Sequence, residues 1–259
     1  MRIATHLFAA ASIAAVALFS SSASAQEKIV IGTEGAYPPF NSLESDGTLT
    51  GFDVEIARAL CEQMTVTCEF VTNDWDGMIP ALQSRKFDAI IASMSITPER
   101  LEQVDFSKKY YNTPPAIAVP KDSDITEATP EALAGKALGA QGSTTHANYA
   151  EKHMDESDLR LYPTADEYKL DIENGRVDAV IDDIVVLSEW VKSDAGACCK
   201  VLGALPVDEE VNGQGAGIAV RKGETELADR FSAAIVAIRE SGKYKEINDK
   251  YFDFDVYGE

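Results

Sequence analysis

Basic side chains are scarce in this chain. Against 43 Asp and Glu stand only 23 Lys and Arg, a formal net charge of -20 over 259 residues. Such a surface repels phosphate backbones, which excludes nucleic acid as a partner. Histidine is nearly absent, with three residues, of which only His146 and His153 lie beyond the N-terminal segment. No GxSxG, HExxH or paired metal-ligand spacing occurs, and no pair of acids is marked for general acid/base work, so the sequence implies neither a metal nor any other cofactor. Long apolar runs are lacking after residue 25, which excludes a polytopic membrane protein. A composition of 45% hydrophobic and 25% charged residues is that of a chain that buries a core.

The N-terminal segment has a basic start at Arg2, an apolar stretch from Leu7 to Phe19 and the small-residue pattern Ala23-Ser24-Ala25. This is the pattern of a secretory signal peptide over residues 1–25, cleaved after Ala25. The apolar run falls short of the ~20 residues a membrane-spanning anchor needs, and the first cysteine, Cys61, lies far from the cleavage point, which argues against a lipid anchor there. An exported chain meets an oxidising compartment, where disulfides persist. Cys61, at the end of one helix, and Cys68, in the following strand, are close enough in sequence to be bonded. Cys198 and Cys199 are adjacent, and a vicinal bond, two thiols or other partners all remain open.

From Lys28 onward short β-rich runs alternate with helical patterns, the signature of α/β architecture. Strands are expected at 28–33, 66–71 and 87–93, a helix from Phe52 with Ile56 and Leu60 on one face, and a helix capped by Asp76. The run Lys86-Phe87-Asp88-Ala89-Ile90-Ile91 recurs as Arg176-Val177-Asp178-Ala179-Val180-Ile181, which implies two similar lobes. Both strands end in polar residues, Ser93 and Ser95 in one and Asp182 and Asp183 in the other. Open parallel sheets bind ligands beyond such ends, so a cleft between lobes is expected. The first lobe is assigned to residues 26–112, the second to 113–212, and the closing helices of 213–259 return to the first. Two crossings make a hinge. Gly213-Gln214-Gly215-Ala216-Gly217 lacks the spacing of a nucleotide-binding loop and reads as a flexible return segment.

Thr97-Pro98-Glu99-Arg100 reads as a helix start with Thr97 as N-cap. Arg100 beside unpaired amides suits a carboxylate, although a solvated arginine would look the same in isolation. Gln141-Gly142-Ser143-Thr144-Thr145 opens another helix after a strand. Tyr37 and Trp75 fall in strand-end loops, where they are either core aromatics or facing walls that stack a side chain and attract a cation. Glu34 and Asp183, acids at strand ends, become candidate partners for an ammonium or guanidinium.

IGTEGAYPPF, GFDVEIARALCEQM, DWDGMIPAL, FDAIIASMSITPER, GAQGSTTHANYA, RVDAVIDDIVV and KYFDFDVYG together resemble the solute-binding proteins of polar amino-acid ABC transporters, above all the lysine/arginine/ornithine-binding and histidine-binding subgroup. The resemblance covers nearly the whole chain after residue 25. It implies the two-lobed type II periplasmic-binding-protein fold, two crossover hinge strands and a ligand cleft between lobes. It also implies a periplasmic monomer that docks transiently on an inner-membrane permease. It gives Arg100, with Ser95 and Thr144, to a ligand α-carboxylate, and Asp183, with Ser93, to the α-ammonium. Tyr37 and Trp75 sandwich the side chain and Glu34 meets its far end. Three positions depart from the subgroup, where Glu34 is aspartate, Trp75 phenylalanine and Ala92 serine. These departures bear on side-chain selectivity and leave the α-amino-acid clamp untouched.

The expected ligand is a cationic L-amino acid, arginine first, then lysine or ornithine, because Glu34, Asp183 and Arg100 are the inverse of arginine's two positive groups and one negative. A histidine or opine receptor is the nearest alternative. An enzyme resembling the periplasmic cyclohexadienyl dehydratases is the alternative of another class, and turnover of prephenate or arogenate would distinguish it. A receptor-kinase sensor would need membrane and signalling segments that the sequence lacks.

Overall fold

The computed structural model describes residues 26–258; the expected leader and its cleavage point lie outside the described residues. The chain opens with β1 (Lys28–Thr33), three short strands β2 (Ala36–Tyr37), β3 (Asn41–Leu43) and β4 (Leu49–Thr50), and helix α1 (Phe52–Gln63). Strand β5 (Thr67–Thr72), helix α2 (Met78–Gln83), β6 (Ala89–Ile90), α3 (Pro98–Gln103) and β7 (Val104–Tyr111) follow. A second series runs β8 (Pro115–Pro120), α4 (Pro130–Leu133), β9 (Ala137–Gln141), α5 (Thr145–His153), β10 (Asp158–Tyr162), α6 (Ala165–Glu173), β11 (Ala179–Asp183), α7 (Ile184–Trp190), β12 (Cys199–Ala204) and α8 (Glu209–Asn212). The chain closes with β13 (Ala216–Arg221), α9 (Thr225–Glu240) and α10 (Lys243–Tyr251).

Two five-stranded sheets result, ordered β5-β1-β6-β13-β7 and β10-β9-β11-β8-β12. In each, three parallel strands are followed by two antiparallel pairings, so that one strand, β13 or β8, runs against the other four. The repeated sequence occupies the same place in both, since β6 and β11 are each the central strand. The recurring aspartate has a physical reason. Asp88 accepts the Val30 amide at 3.0 Å, and Asp178 accepts the Ala137 amide at 2.7 Å, so each carboxylate satisfies a donor on the neighbouring parallel strand. The chain passes from one sheet to the other twice, between β7 and β8 and between β12 and β13.

One face of the first sheet is covered by α1, α9 and α10, whose Phe52, Ile56, Leu60, Phe231, Ile235, Ile238 and Ile247 are buried. The other face holds Met78, Leu82, Phe87 and Ile90. Cys61 on α1 is bonded to Cys68 on the edge strand β5 with Cα atoms 6.0 Å apart, and Cys198 is bonded to Cys199.

Two local expectations change. Asp76 does not cap a helix: it sits inside a 3₁₀ turn, Trp75–Gly77, which runs straight into α2 behind an N-cap at Gly77 with no side-chain bond. The Gly213–Gly217 tract is closely packed instead of slack. A Cβ on Gly213 (φ +74°) would stand 2.3 Å from the Ile96 carbonyl oxygen, and one on Gly215 (φ +99°) 2.6 Å from that of Tyr111. Glycine is required there by both backbone conformation and contact.

Candidate functional site

The strand ends of both sheets converge on one cavity. All eight residues proposed from sequence line it: Glu34, Tyr37, Trp75, Ser93, Ser95 and Arg100 from the side of the first sheet, Thr144 and Asp183 from the second.

Arg100 is positioned as its local sequence dictates. Thr97 Oγ1 accepts the Arg100 amide at 3.2 Å, and Pro98 occupies the first helical position, so α3 starts at the cavity rim. The guanidinium donates to the Ser95 carbonyl at 3.1 Å and, across the cleft, to the Ser143 carbonyl at 3.2 Å. It lies 5.3 Å from the Trp75 ring centroid, and Trp75 Nε1 donates to the same Ser143 carbonyl at 3.0 Å. Burial lowers its pKa to about 10, against the opposing charge of Glu99, so it remains cationic at neutral pH. Thr144 is the N-cap of α5: its hydroxyl donates to the Gln141 carbonyl at 2.7 Å and accepts the Ala147 amide at 3.1 Å. The first amides of such a helix have no intrahelical acceptor, and they begin at the cavity wall.

Two acids complete the cavity wall, one from each side. Asp183 caps α7 by accepting the Val185 amide at 2.7 Å, and the Thr113 hydroxyl donates to its other oxygen. Burial raises its pKa to about 7, against the hydrogen bond from Thr113 and with a further rise from Asp182. Glu34 accepts the Gln141 side-chain amide at 2.7 Å across the cleft. Burial lifts it to about 7 as well, with the Gln141 bond lowering it and the charges of Asp182, Asp166 and Asp74 raising it. The opposing cation is Lys169 on α6, itself 5% exposed, held below its ordinary pKa by burial while the charges of Asp182, Asp166 and Glu34 pull it up.

Four polar groups in or behind the cavity wall have no role assigned from the sequence. Asp53, at 0% exposure, accepts Ser93 Oγ at 3.0 Å, Tyr110 OH at 2.8 Å and Asn41 Nδ2 at 2.9 Å. This shell anchors the hydroxyl of Ser93, a non-glycine residue at φ 57°. Burial raises Asp53 to about 6, with these three donors opposing. Asp182, Gln141 and Lys169 are the others. Only the helical position of Lys169 and the strand-end places of Gln141 and Asp182 could have drawn attention to them. Among the described residues no cluster of His, Cys, Asp and Glu could hold a metal ion, and no helix is long and apolar enough to cross a membrane.

Comparison with known proteins fits this geometry. Residues 29–254 match the family model of bacterial extracellular solute-binding proteins, family 3. The L-arginine-binding protein of Pseudomonas aeruginosa is 45% identical over 237 residues, covering 90% of this chain and 91% of that one. The histidine-binding periplasmic protein of Escherichia coli is 37% identical over 254 residues, covering 95% and 97%. A solved structure described as an ancestral arginine-binding protein bound to arginine superposes with a TM-score of 0.81 at 36% identity, over 88% of this chain and 99% of that one.

Proposed function

The chain belongs to the bacterial extracellular solute-binding proteins of family 3, and from that premise we propose that it is a periplasmic receptor that binds a cationic L-amino acid and delivers it to an ABC permease in the inner membrane. Arginine is the first choice, then lysine or ornithine. One observation carries the reading: one cavity between the two sheets presents the cation Arg100 together with two acids, half-buried Glu34 from the side of the first sheet and buried Asp183 from the second. That pattern is the inverse of arginine.

In this reading the α-carboxylate takes the Arg100 guanidinium, whose fork suits a planar anion, with the start of α5 at Thr144 and the Ser95 region beside it. The α-ammonium donates to Asp183, whose two oxygens keep acceptor directions beyond Thr113 and Val185, and to Ser93. Tyr37 and Trp75 flank the aliphatic and guanidinium stem. Glu34 accepts the distal cation. The ligand is held by charge-assisted hydrogen bonds and released unchanged, so the protein acts as a monomeric carrier and not as an enzyme. Names of the arginine- and histidine-binding relatives support the substrate class.

The test is direct. Protein unfolded and refolded to strip ligand is screened for melting shifts with all amino acids and common opines, then titrated calorimetrically. Arginine should give the largest shift, with lysine and ornithine next and acidic amino acids giving none. A largest shift with a neutral amino acid or an opine would reject the cationic assignment, and turnover of prephenate or arogenate would reject the receptor reading.

A further inference from the structure

We propose that Asp182 is a positioning residue that latches the two lobes together and orients the cavity wall without touching ligand. The proposal rests on the cavity being the amino-acid site. Asp182 ends β11 next to Asp183 but is 3% exposed and does not line the cavity. Its Oδ1 accepts the Tyr37 hydroxyl at 2.5 Å and the Asp183 amide at 2.7 Å, with His146 Nδ1 3.1 Å away, and its Oδ2 accepts the Tyr168 hydroxyl. Asp183, His146 and Tyr168 belong to the lobe built on the second sheet. Tyr37, 145 residues distant and stacked beside Phe40, comes from the other.

An ionised carboxylate has about four acceptor sites, so one hydroxyl from across the cleft completes a shell whose other members are fixed within a lobe. Opening the cleft must break that bond. A hydrogen bond to a charged group is stronger than one between neutral partners, and this one lies out of solvent contact. Among the described residues, polar bridges between lobes are also made by Glu34, Trp75 and Arg100, which face the cavity. Asp182 faces none of it, yet three of its partners, Tyr37, His146 and Asp183, are wall residues. Its effect is therefore on closure, common to all ligands, and not on selection among them.

The experiment compares Tyr37→Phe, which removes the cross-lobe donor and keeps the ring, with Tyr168→Phe, which removes a donor from within the lobe. Ligand release is followed by stopped-flow fluorescence of Trp75, whose indole bridges the cleft, and compactness without added ligand by small-angle scattering. Tyr37→Phe should release arginine, lysine and histidine about tenfold faster, keep their affinity ratios, and enlarge the radius of gyration. Tyr168→Phe should lower the melting temperature while release changes less than twofold. Asp182→Asn should reproduce the faster release, and adding Tyr37→Phe to it should accelerate release no further. Equal effects of both tyrosine variants on release, or a Tyr37→Phe release rate like wild type, would overturn the latch. A changed arginine-to-histidine ratio would overturn it too, by assigning the hydroxyl to ligand selection. Wild-type protein that binds no amino acid would reject the receptor reading instead, and the scattering comparison would then decide the latch alone: an unchanged radius overturns it.

Discussion

Glu34, half-buried, and Asp183, buried, are acids on the same cavity, yet the proposed binding mode gives them different consequences. Every amino acid carries the α-ammonium assigned to Asp183, and truncating one member of a desolvated charge pair costs ~2–5 kcal/mol. Asp183→Asn should weaken arginine, lysine, histidine and glutamine together. Glu34→Gln should penalise arginine and lysine while sparing glutamine. Calorimetric affinities for the four ligands check both, and an unchanged arginine-to-glutamine ratio in Glu34→Gln would remove Glu34 from the side-chain subsite. The pKa shifts add a pH dependence. Glu34 rises from 4.5 and Asp183 from 3.8, each to about 7 on folding, so the folded protein holds protons that the unfolded chain has released. Their contribution to stability without ligand is fully present below about pH 4 and is lost as pH rises to about 7. A ligand cation needs the ionised acids, so arginine binding at pH 6 should release up to two protons, and affinity should climb toward pH 7. Titration in buffers of different ionisation enthalpy reads the proton count; a count of zero would contradict the placement of both acids against the ligand's cations.

At the scale of elements, short-range chemistry explains most of what positions the site. Thr97-Pro98 sets the start of α3 and with it the place of Arg100, while the Asp88 and Asp178 caps hold the central strand of each sheet against its parallel neighbour. Trp75 reaches the cavity from a 3₁₀ turn because the segment from Trp75 to Gln83 begins with the tighter coil and not with an Asp76-capped helix. The Cys61–Cys68 bond ties the end of α1 to the edge strand β5, away from the cavity residues. Closing so short a loop contributes ~2–3 kcal/mol in the chain-entropy model. A Cys61→Ser, Cys68→Ser double variant should lose about that much in denaturant unfolding while its arginine affinity stays within twofold of wild type. A wild-type midpoint would show that the bond adds nothing.

The whole molecule is two similar sheets joined by two crossings, with the proposed cation and anion partners of one ligand divided between them. Arg100 and Glu34 are on one side and Asp183 and the start of α5 on the other. A ligand that needs both sides favours the closed arrangement by its differential affinity for it. Small-angle scattering should therefore show a smaller radius of gyration at saturating arginine, and an unchanged radius would count against closure as the binding mechanism.

Sequence alone determined the α/β alternation, the duplicated sheet pattern and the strand ends whose polar residues line the cavity, because each is a local or repeating pattern. A β-strand followed by a capped helix is written within ten residues, and the repeat at Lys86 and Arg176 needed no knowledge of distance. Only the tertiary structure decided what those groups meet. The Tyr37 bond to Asp182 spans 145 residues and the Gln141 bond to Glu34 spans 107. Asp53 looks like an ordinary first-turn helix acid until Ser93 and Tyr110 are brought onto it, and Lys169 looks like a surface lysine until the fold buries it within the field of Asp182, Asp166 and Glu34. Hydrophobic periodicity records which face of an element is buried. It does not record the polar partner that another lobe delivers, and in a cleft those deliveries set charge, pKa and closure.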